Sequence, residues 1–217
     1  MPVRRRVRAV VALAVAGVVG LAGVGCSASS VEVARVASAG LSTVVEGPRI
    51  VVGEAKAPHT VRVYLDPRCS YCARFEEGGG VALAEAAAAG KVRIEYVVAS
   101  FLDARTGGTA SARAANALRA SVEAGKFVEY QAALFAGGGA EDPLRVADRV
   151  EGLRGAVFDR AVREETYKGW VASAERAFEE SGVGGTPTVL IDGEAVAAGN
   201  ALYDQEGFAR VLRDAGV

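Results

Sequence analysis

Asp66-Pro67-Arg68-Cys69-Ser70-Tyr71-Cys72 joins an apolar, strand-like run to a helical one and places two thiols one helical turn apart. A C-x-x-C pair in the first turn of a helix brings its two sulfurs close enough to oxidise reversibly, and the helix N-terminus favours a thiolate on the first cysteine. The second thiol can then resolve a bond formed by the first. The pattern therefore predicts a redox-active pair, with Cys69 as nucleophile and Cys72 as resolving cysteine.

Two other interpretations of the pair are a zinc site and a structural disulfide. Structural zinc takes about four ligands, whereas the chain has three cysteines and a single histidine, His59, which we expect on the surface away from the pair. No metal site is therefore predicted. A structural disulfide that closes so small a loop would stabilise the fold little by the chain-entropy account, and a redox role is favoured.

The N-terminal residues have the layout of a secretory signal. Four arginines lie within the first eight residues, and residues 9–24 are uncharged. Leu21-Ala22-Gly23-Val24-Gly25-Cys26 resembles a bacterial lipobox, although Gly23 stands where an aliphatic residue is usual. We predict a signal peptide or membrane anchor at 1–25 and lipidation of Cys26, with an uncleaved anchor or ordinary cleavage as the alternatives.

Charge and cysteine content restrict the partners and the compartment. Without residues 1–25 the chain keeps 21 Lys+Arg against 26 Asp+Glu, a net charge of about −5. This balance argues against nucleic acid as a partner. If Cys26 carries lipid, Cys69 and Cys72 are the thiols that remain, and an oxidising extracytoplasmic compartment suits such a pair.

Hydrophobic periodicity predicts one α/β domain at 49–217, preceded by a tether or N-terminal arm at 26–48. Three consecutive glycines, 78–80, should break or kink the helix that follows Cys72. Asp192-Gly193 between two apolar runs indicates a hairpin. The predicted elements are a short edge strand or turn at 50–52, strands at 61–65, 91–99, 186–191 and 195–197, helices at 72–89 and 204–215, and an all-helical stretch at about 103–182.

This order of elements resembles the DsbA-like family of thioredoxin-fold disulfide oxidoreductases, in its exported branch. The most specific motifs are Asp66-x-x-Cys69-Ser70-Tyr71-Cys72 with Phe75-Glu76, then residues 125–130, and Gly185-Thr186-Pro187-Thr188 continuing to Gly193. The resemblance implies a central mixed sheet flanked by helices, with an all-α insertion between the C-x-x-C half and the hairpin. It also implies that Pro187 is cis and faces the cysteines, and that the Thr186 backbone binds a substrate strand. An ordinary trans proline at the start of a strand is the alternative.

Two departures from the family pattern concern how the thiols are tuned. Relatives often carry a carboxylate six residues before the nucleophile as proton acceptor, but Val63 stands there. Asp66 is a candidate for that role, or it serves only as a turn or cap. The strongly oxidising relatives have histidine between the cysteines, where this chain has Ser70-Tyr71. Because Tyr71 can donate a hydrogen bond to a thiolate but carries no charge, we expect weaker thiolate stabilisation than in those relatives.

The sequence thus predicts an extracytoplasmic thiol-disulfide oxidoreductase that needs no cofactor beyond its cysteine pair. Its expected substrates are exported proteins or peptides with thiols or disulfides, oxidised through a mixed disulfide. A membrane or extracytoplasmic redox partner is expected to recycle it, at the outer face of the membrane, in a periplasm or in secreted form. A thiol reductase or isomerase and a redox-inactive binding protein of the same fold are the alternatives.

Overall fold

A computed structural model describes residues 40–217, and its strands form one six-stranded sheet. The strands are β1 Thr43–Glu46, β2 Arg49–Val52, β3 His59–Leu65, β4 Val92–Val98, β5 Thr188–Ile191 and β6 Glu194–Ala195. Their order in the sheet is β1-β2-β4-β3-β5-β6, in which β3 and β4 are parallel and the other neighbours are antiparallel. The predicted α/β fold with a central mixed sheet is confirmed.

Nine α-helices and one 3-10 helix occur within residues 40–217. The α-helices are α1 Ser70–Glu77, α2 Gly79–Ala88, α3 Leu102–Thr106, α4 Ala110–Glu123, α5 Phe127–Ala136, α6 Pro143–Ala147, α7 Ala156–Arg163, α8 Lys168–Glu180 and α9 Gln205–Asp214. The 3-10 helix is Gly199–Tyr203. The chain therefore passes from β3 through α1 and α2 to the parallel strand β4.

Both faces of the sheet are used, as the alternation of side chains along a strand requires. On β4, Val92, Ile94, Tyr96 and Val98 all join the main hydrophobic core. The opposite face carries Tyr64 and Val97, which form a second buried cluster with Phe178 of α8. The predicted helical insert, which contains α3 to α8, thus ends in a helix that covers the sheet itself.

The N-terminal part of the sheet differs from the prediction in two respects. Thr43–Glu46, placed by the sequence in the arm 26–48, pairs with β2 as an edge strand. Residues 50–52 are consequently not an edge, because β2 lies between β1 and β4. Alternation over four residues is too short a signal to reveal this pairing. The predicted signal peptide or anchor at 1–25 and lipidation at Cys26 lie outside the described residues.

None of the helices within residues 40–217 has the length and apolarity that a bilayer-spanning helix requires.

The predicted break at residues 78–80 is confirmed, because α1 ends at Glu77 and α2 begins at Gly79. The main chain of the 3-10 helix passes close to these glycines. A Cβ on Gly78 would lie 2.3 Å from the Tyr203 carbonyl oxygen, and one on Gly79 would lie 2.4 Å from that of Leu202. The glycines therefore allow the segment before α9 to pack directly against the end of α1.

We predict that Gly79→Ala lowers the free energy of unfolding by about 1–3 kcal/mol, the usual cost of adding a group to a filled site. Gly169→Ala is the matched control, because Gly169 also lies in a helix but has nothing within 4 Å of the added methyl group. This variant should be more stable than the original by roughly 0.5–1 kcal/mol, since alanine favours helix. Urea unfolding of both variants measures the difference, and equal stabilities would contradict the proposed contact.

Candidate active site

Cys69 and Cys72 lie at the start of α1, at the end of the sheet where β3 terminates. A turn closed by the Cys69 N–H, which donates to the Asp66 carbonyl at 3.0 Å, leads from the strand into the helix. Both cysteines are free thiols, and their environments differ: Cys69 is half-buried, whereas Cys72 is fully buried. Only the first sulfur is therefore open to a macromolecular reactant.

The Thr186–Pro187 peptide bond is cis, as predicted, and it lies beside Cys69. Antiparallel pairing of β5 with β3, in which Thr188 is opposite Tyr64, brings this bond to the same end of the sheet. The Cys69 sulfur lies 3.4 Å from the Thr186 carbonyl oxygen, to which it donates in its thiol form. The structure thus brings together four of the predicted site residues: Cys69, Cys72, Thr186 and Pro187.

The surroundings of the two thiols shift their pKa values in opposite directions. The pKa of Cys69 is lowered to about 5, chiefly by a hydrogen bond from the Cys72 thiol and further by Thr186 and the main-chain N–H groups of Tyr71 and Cys72. Burial opposes this shift without cancelling it. The pKa of Cys72 is raised, first by burial and then by the neighbouring Cys69. Near neutral pH the pair therefore holds a thiolate at Cys69 and a thiol at Cys72.

Thr186 acts on the pair through its side chain as well as its carbonyl group. Its Oγ1 atom is buried and has no hydrogen-bond partner of normal geometry within the described residues. Its proximity to the sulfurs nevertheless lowers the pKa of both Cys69 and Cys72. A hydroxyl group that is otherwise unengaged is thus available to whichever sulfur is ionised.

Asp66 is fully buried and links the loop before Cys69 to the helical insert. Its carboxylate accepts from the Arg68 N–H at 2.9 Å, the Leu102 N–H at 3.1 Å and the Ser111 hydroxyl at 2.8 Å. Burial raises the pKa of Asp66, and these donors partly oppose the shift. These hydrogen bonds support the predicted role of Asp66 in the turn before Cys69. They also connect that turn to α3 and α4. A role as proton acceptor for Cys72 stays a prediction.

Ser70 and Tyr71, the residues between the cysteines, are both exposed. Tyr71 lowers the pKa of Cys69 through its main chain. Its ring lies 6.0 Å from the Tyr203 ring and 5.8 Å from the Arg74 guanidinium carbon. A hydrogen bond from the Tyr71 hydroxyl to the thiolate stays a prediction. Tyr203 and Arg74 were not identified from the sequence, in which the glycines at 78–80 indicated only a break in the helix.

A glycine loop after α5 was likewise not identified as part of the site. Gly139 has φ +68°, and a Cβ there would lie 1.6 Å from the carbonyl oxygen of Pro67. The insert thus contacts the main chain just before Cys69.

His59 lies at the opposite end of β3 from Cys69 and pairs with Asp192 in the hairpin at 2.8 Å. Within residues 40–217, no three His, Cys, Asp or Glu side chains are grouped as metal ligands would be.

The sequence and the fold are similar to those of known proteins. A family model described as Thioredoxin matches residues 46–213. The MdbA thiol-disulfide oxidoreductase from Actinomyces oris superposes with a TM-score of 0.67 at 20% identity, over 79% of this chain and 87% of that one. DsbA from Mycobacterium tuberculosis superposes with a TM-score of 0.59 at 22% identity, over 78% and 100% of the two chains. No curated protein matches the sequence. The predicted resemblance to DsbA-like proteins is confirmed at the level of fold.

We predict that alkylation of Cys69 by iodoacetamide accelerates as pH rises through about 5, because the thiolate is the reactive form and its pKa is about 5. In Cys72→Ala the midpoint should move upward, since the largest cause of the low pKa is a hydrogen bond from Cys72. Cys72→Ser, which retains a donor, should fall between the two. Peptide mapping of the labelled chain separates Cys69 from the other cysteines. A midpoint near the ordinary value of 9.0 in the unchanged protein would contradict the geometry.

We further predict that Gly139→Ala changes the alkylation midpoint of Cys69, because the new methyl group would displace the Pro67 carbonyl. Gly138→Ala is the matched control: Gly138 has the same φ of +68°, but nothing lies within 4 Å of its added Cβ. Both variants bear the cost of a left-handed residue, about 1–2 kcal/mol, and only the first should alter the reactivity of the thiol. Equal midpoints in the two variants would show that the Pro67 contact does not position Cys69.

Proposed function

The chain belongs to the Thioredoxin family, whose model spans residues 46–213, and on this premise we propose that it is a thiol-disulfide oxidoreductase that oxidises the cysteines of exported proteins. The observation that carries the proposal is the unequal pair at the start of α1. Cys69 is half-buried with a pKa of about 5, whereas Cys72 is fully buried with a raised pKa.

Oxidation starts from the Cys69–Cys72 disulfide. A substrate thiolate attacks Cys69, the sulfur that is open to solvent, and forms a mixed disulfide while Cys72 leaves and is protonated. A second substrate thiolate then attacks the substrate sulfur of the mixed disulfide, and Cys69 leaves as a thiolate. Two electrons pass from the substrate thiols to the pair, and the substrate gains a disulfide.

The direction of transfer follows from the stability of the reduced pair. A low pKa makes Cys69 a good leaving group, and a reduced form that is stabilised makes the corresponding disulfide a better oxidant. The Cys72 thiol, the nearby Thr186 hydroxyl and two main-chain N–H groups stabilise the Cys69 thiolate. The same groups would assist a reductase less, because a stabilised thiolate is a weaker nucleophile. Thr186 and Pro187 lie where a substrate strand would align with Cys69.

Export and membrane attachment form part of the proposal. The support is the sequence itself: a basic start, an uncharged run at 9–24 and the lipobox-like residues before Cys26. An exported protein of this kind needs a membrane or extracytoplasmic partner that returns the pair to the disulfide. The MdbA protein that shares this fold is itself described as a thiol-disulfide oxidoreductase.

The test is oxidation of a dithiol peptide by the oxidised full-length chain, followed by mass spectrometry. We expect Cys69→Ala to abolish the oxidation, whereas Cys26→Ala, which changes a cysteine outside the pair, retains it. In Cys72→Ala, the Cys69 thiolate should attack disulfides of exported proteins, release one substrate sulfur as a thiolate and accumulate as mixed disulfides, and these identify the substrates. If Cys69→Ala leaves peptide oxidation unchanged, the enzymatic role is rejected and a redox-inactive binding protein is favoured. Insulin reduction faster than peptide oxidation would favour the reductase.

A further inference from the structure

Beside Cys69, three side chains form a surface that the reaction just described does not use. They are Tyr71, Arg74 and Tyr203, here called the tyrosine–arginine cluster. The Arg74 guanidinium carbon lies 4.6 Å from the centre of the Tyr203 ring and 5.8 Å from that of Tyr71. Contacts at these distances are cation–π interactions, which hold a guanidinium over a ring while leaving its N–H donors free.

Local packing fixes the cluster in place. Tyr71 and Arg74 are one turn apart on α1, so that both project from the same face of the helix. Tyr203 reaches them because the 3-10 helix packs against Gly78 and Gly79. Burial raises the pKa of Tyr203.

The cluster is close to the reacting sulfurs and remains exposed. Tyr203 interacts electrostatically with both Cys69 and Cys72. Tyr71 is 54% exposed, although a tyrosine on a monomer surface is commonly more covered. The cluster therefore lies within reach of a polypeptide chain joined to Cys69.

The charge of the cluster is not compensated. Arg74 is exposed, and no carboxylate of residues 40–217 forms an ion pair with it. Arg68, which also lies near Cys69, is by contrast engaged with Asp103 at 3.7 Å and Thr106 at 3.1 Å. The guanidinium of Arg74 is thus preorganised by two rings and retains donors for an acceptor from outside the chain.

We propose that the tyrosine–arginine cluster binds a carboxylate side chain of the substrate, next to the cysteine that reacts with Cys69. The enzyme would accordingly prefer cysteines that have an aspartate or glutamate close by in the polypeptide. This inference rests on the proposed oxidation of peptide thiols and adds a preference among substrates to it.

The test compares dithiol peptides that are identical except for Asp, Asn or Lys two residues from one cysteine. Oxidation by the full-length disulfide form is measured for each, and each rate is divided by the rate with glutathione disulfide, which corrects for the effect of the neighbour on the peptide thiol. We expect the Asp peptide to be favoured over the Lys peptide by about two- to fivefold, the size expected for an exposed ion pair. The preference should shrink as salt is added.

Arg74→Gln should remove this preference and bring the Asp and Lys peptides to equal corrected rates. Arg160→Gln is the matched control, because it removes an equal charge from an exposed position on α7, which packs on α4 and α6. This control should keep the preference. An Asp-to-Lys ratio unchanged by Arg74→Gln would overturn the inference while leaving the oxidation intact. Failure to oxidise any of the three peptides would overturn the proposed function and the inference with it.

Discussion

The carboxylate of Asp66 is the contact on which the arrangement of the site depends. It is buried where β3 ends, and its three donors come from the loop before Cys69 and from the first turns of α3 and α4. A buried carboxylate is costly unless it is well hydrogen-bonded, so that these three segments are held to one geometry. The sheet and the helical insert therefore meet at one buried group directly behind the redox pair.

The reactivity of the pair arises from this fixed geometry and from unequal burial. Cys69 is stabilised as a thiolate by neighbours that are all short-range donors: a thiol, a hydroxyl and main-chain N–H groups. None of these donors is a charged side chain, because Ser70 and Tyr71 stand between the cysteines where the strongly oxidising relatives have a histidine. Cys72 supplies the largest effect on Cys69 because burial keeps its own proton in place. Each thiol thus sets the ionisation of the other.

The sequence was sufficient for those features that depend on local patterns. Alternation identified β3 and β4, the glycines at 78–80 marked a helix break, and the C-x-x-C and Thr-Pro motifs located the two halves of the site. Contacts between distant segments could not be obtained in this way. The strand Thr43–Glu46, the donors to Asp66 and the approach of Gly139 to Pro67 each depend on how separate elements pack. The approach of the Tyr71 ring to Tyr203 shows the same limit, because the two residues are far apart in the sequence.

The glycine contacts bear on how the site could be transplanted. Moving the Cys69–Cys72 helix and the Thr186–Pro187 segment to another scaffold would carry over every reactive atom. It would omit the clearances at Gly78, Gly79 and Gly139, where the main chains of Tyr203, Leu202 and Pro67 lie. The smallest set of residues that would transfer the site is therefore discontinuous in sequence. It includes positions at which the new scaffold must carry glycine.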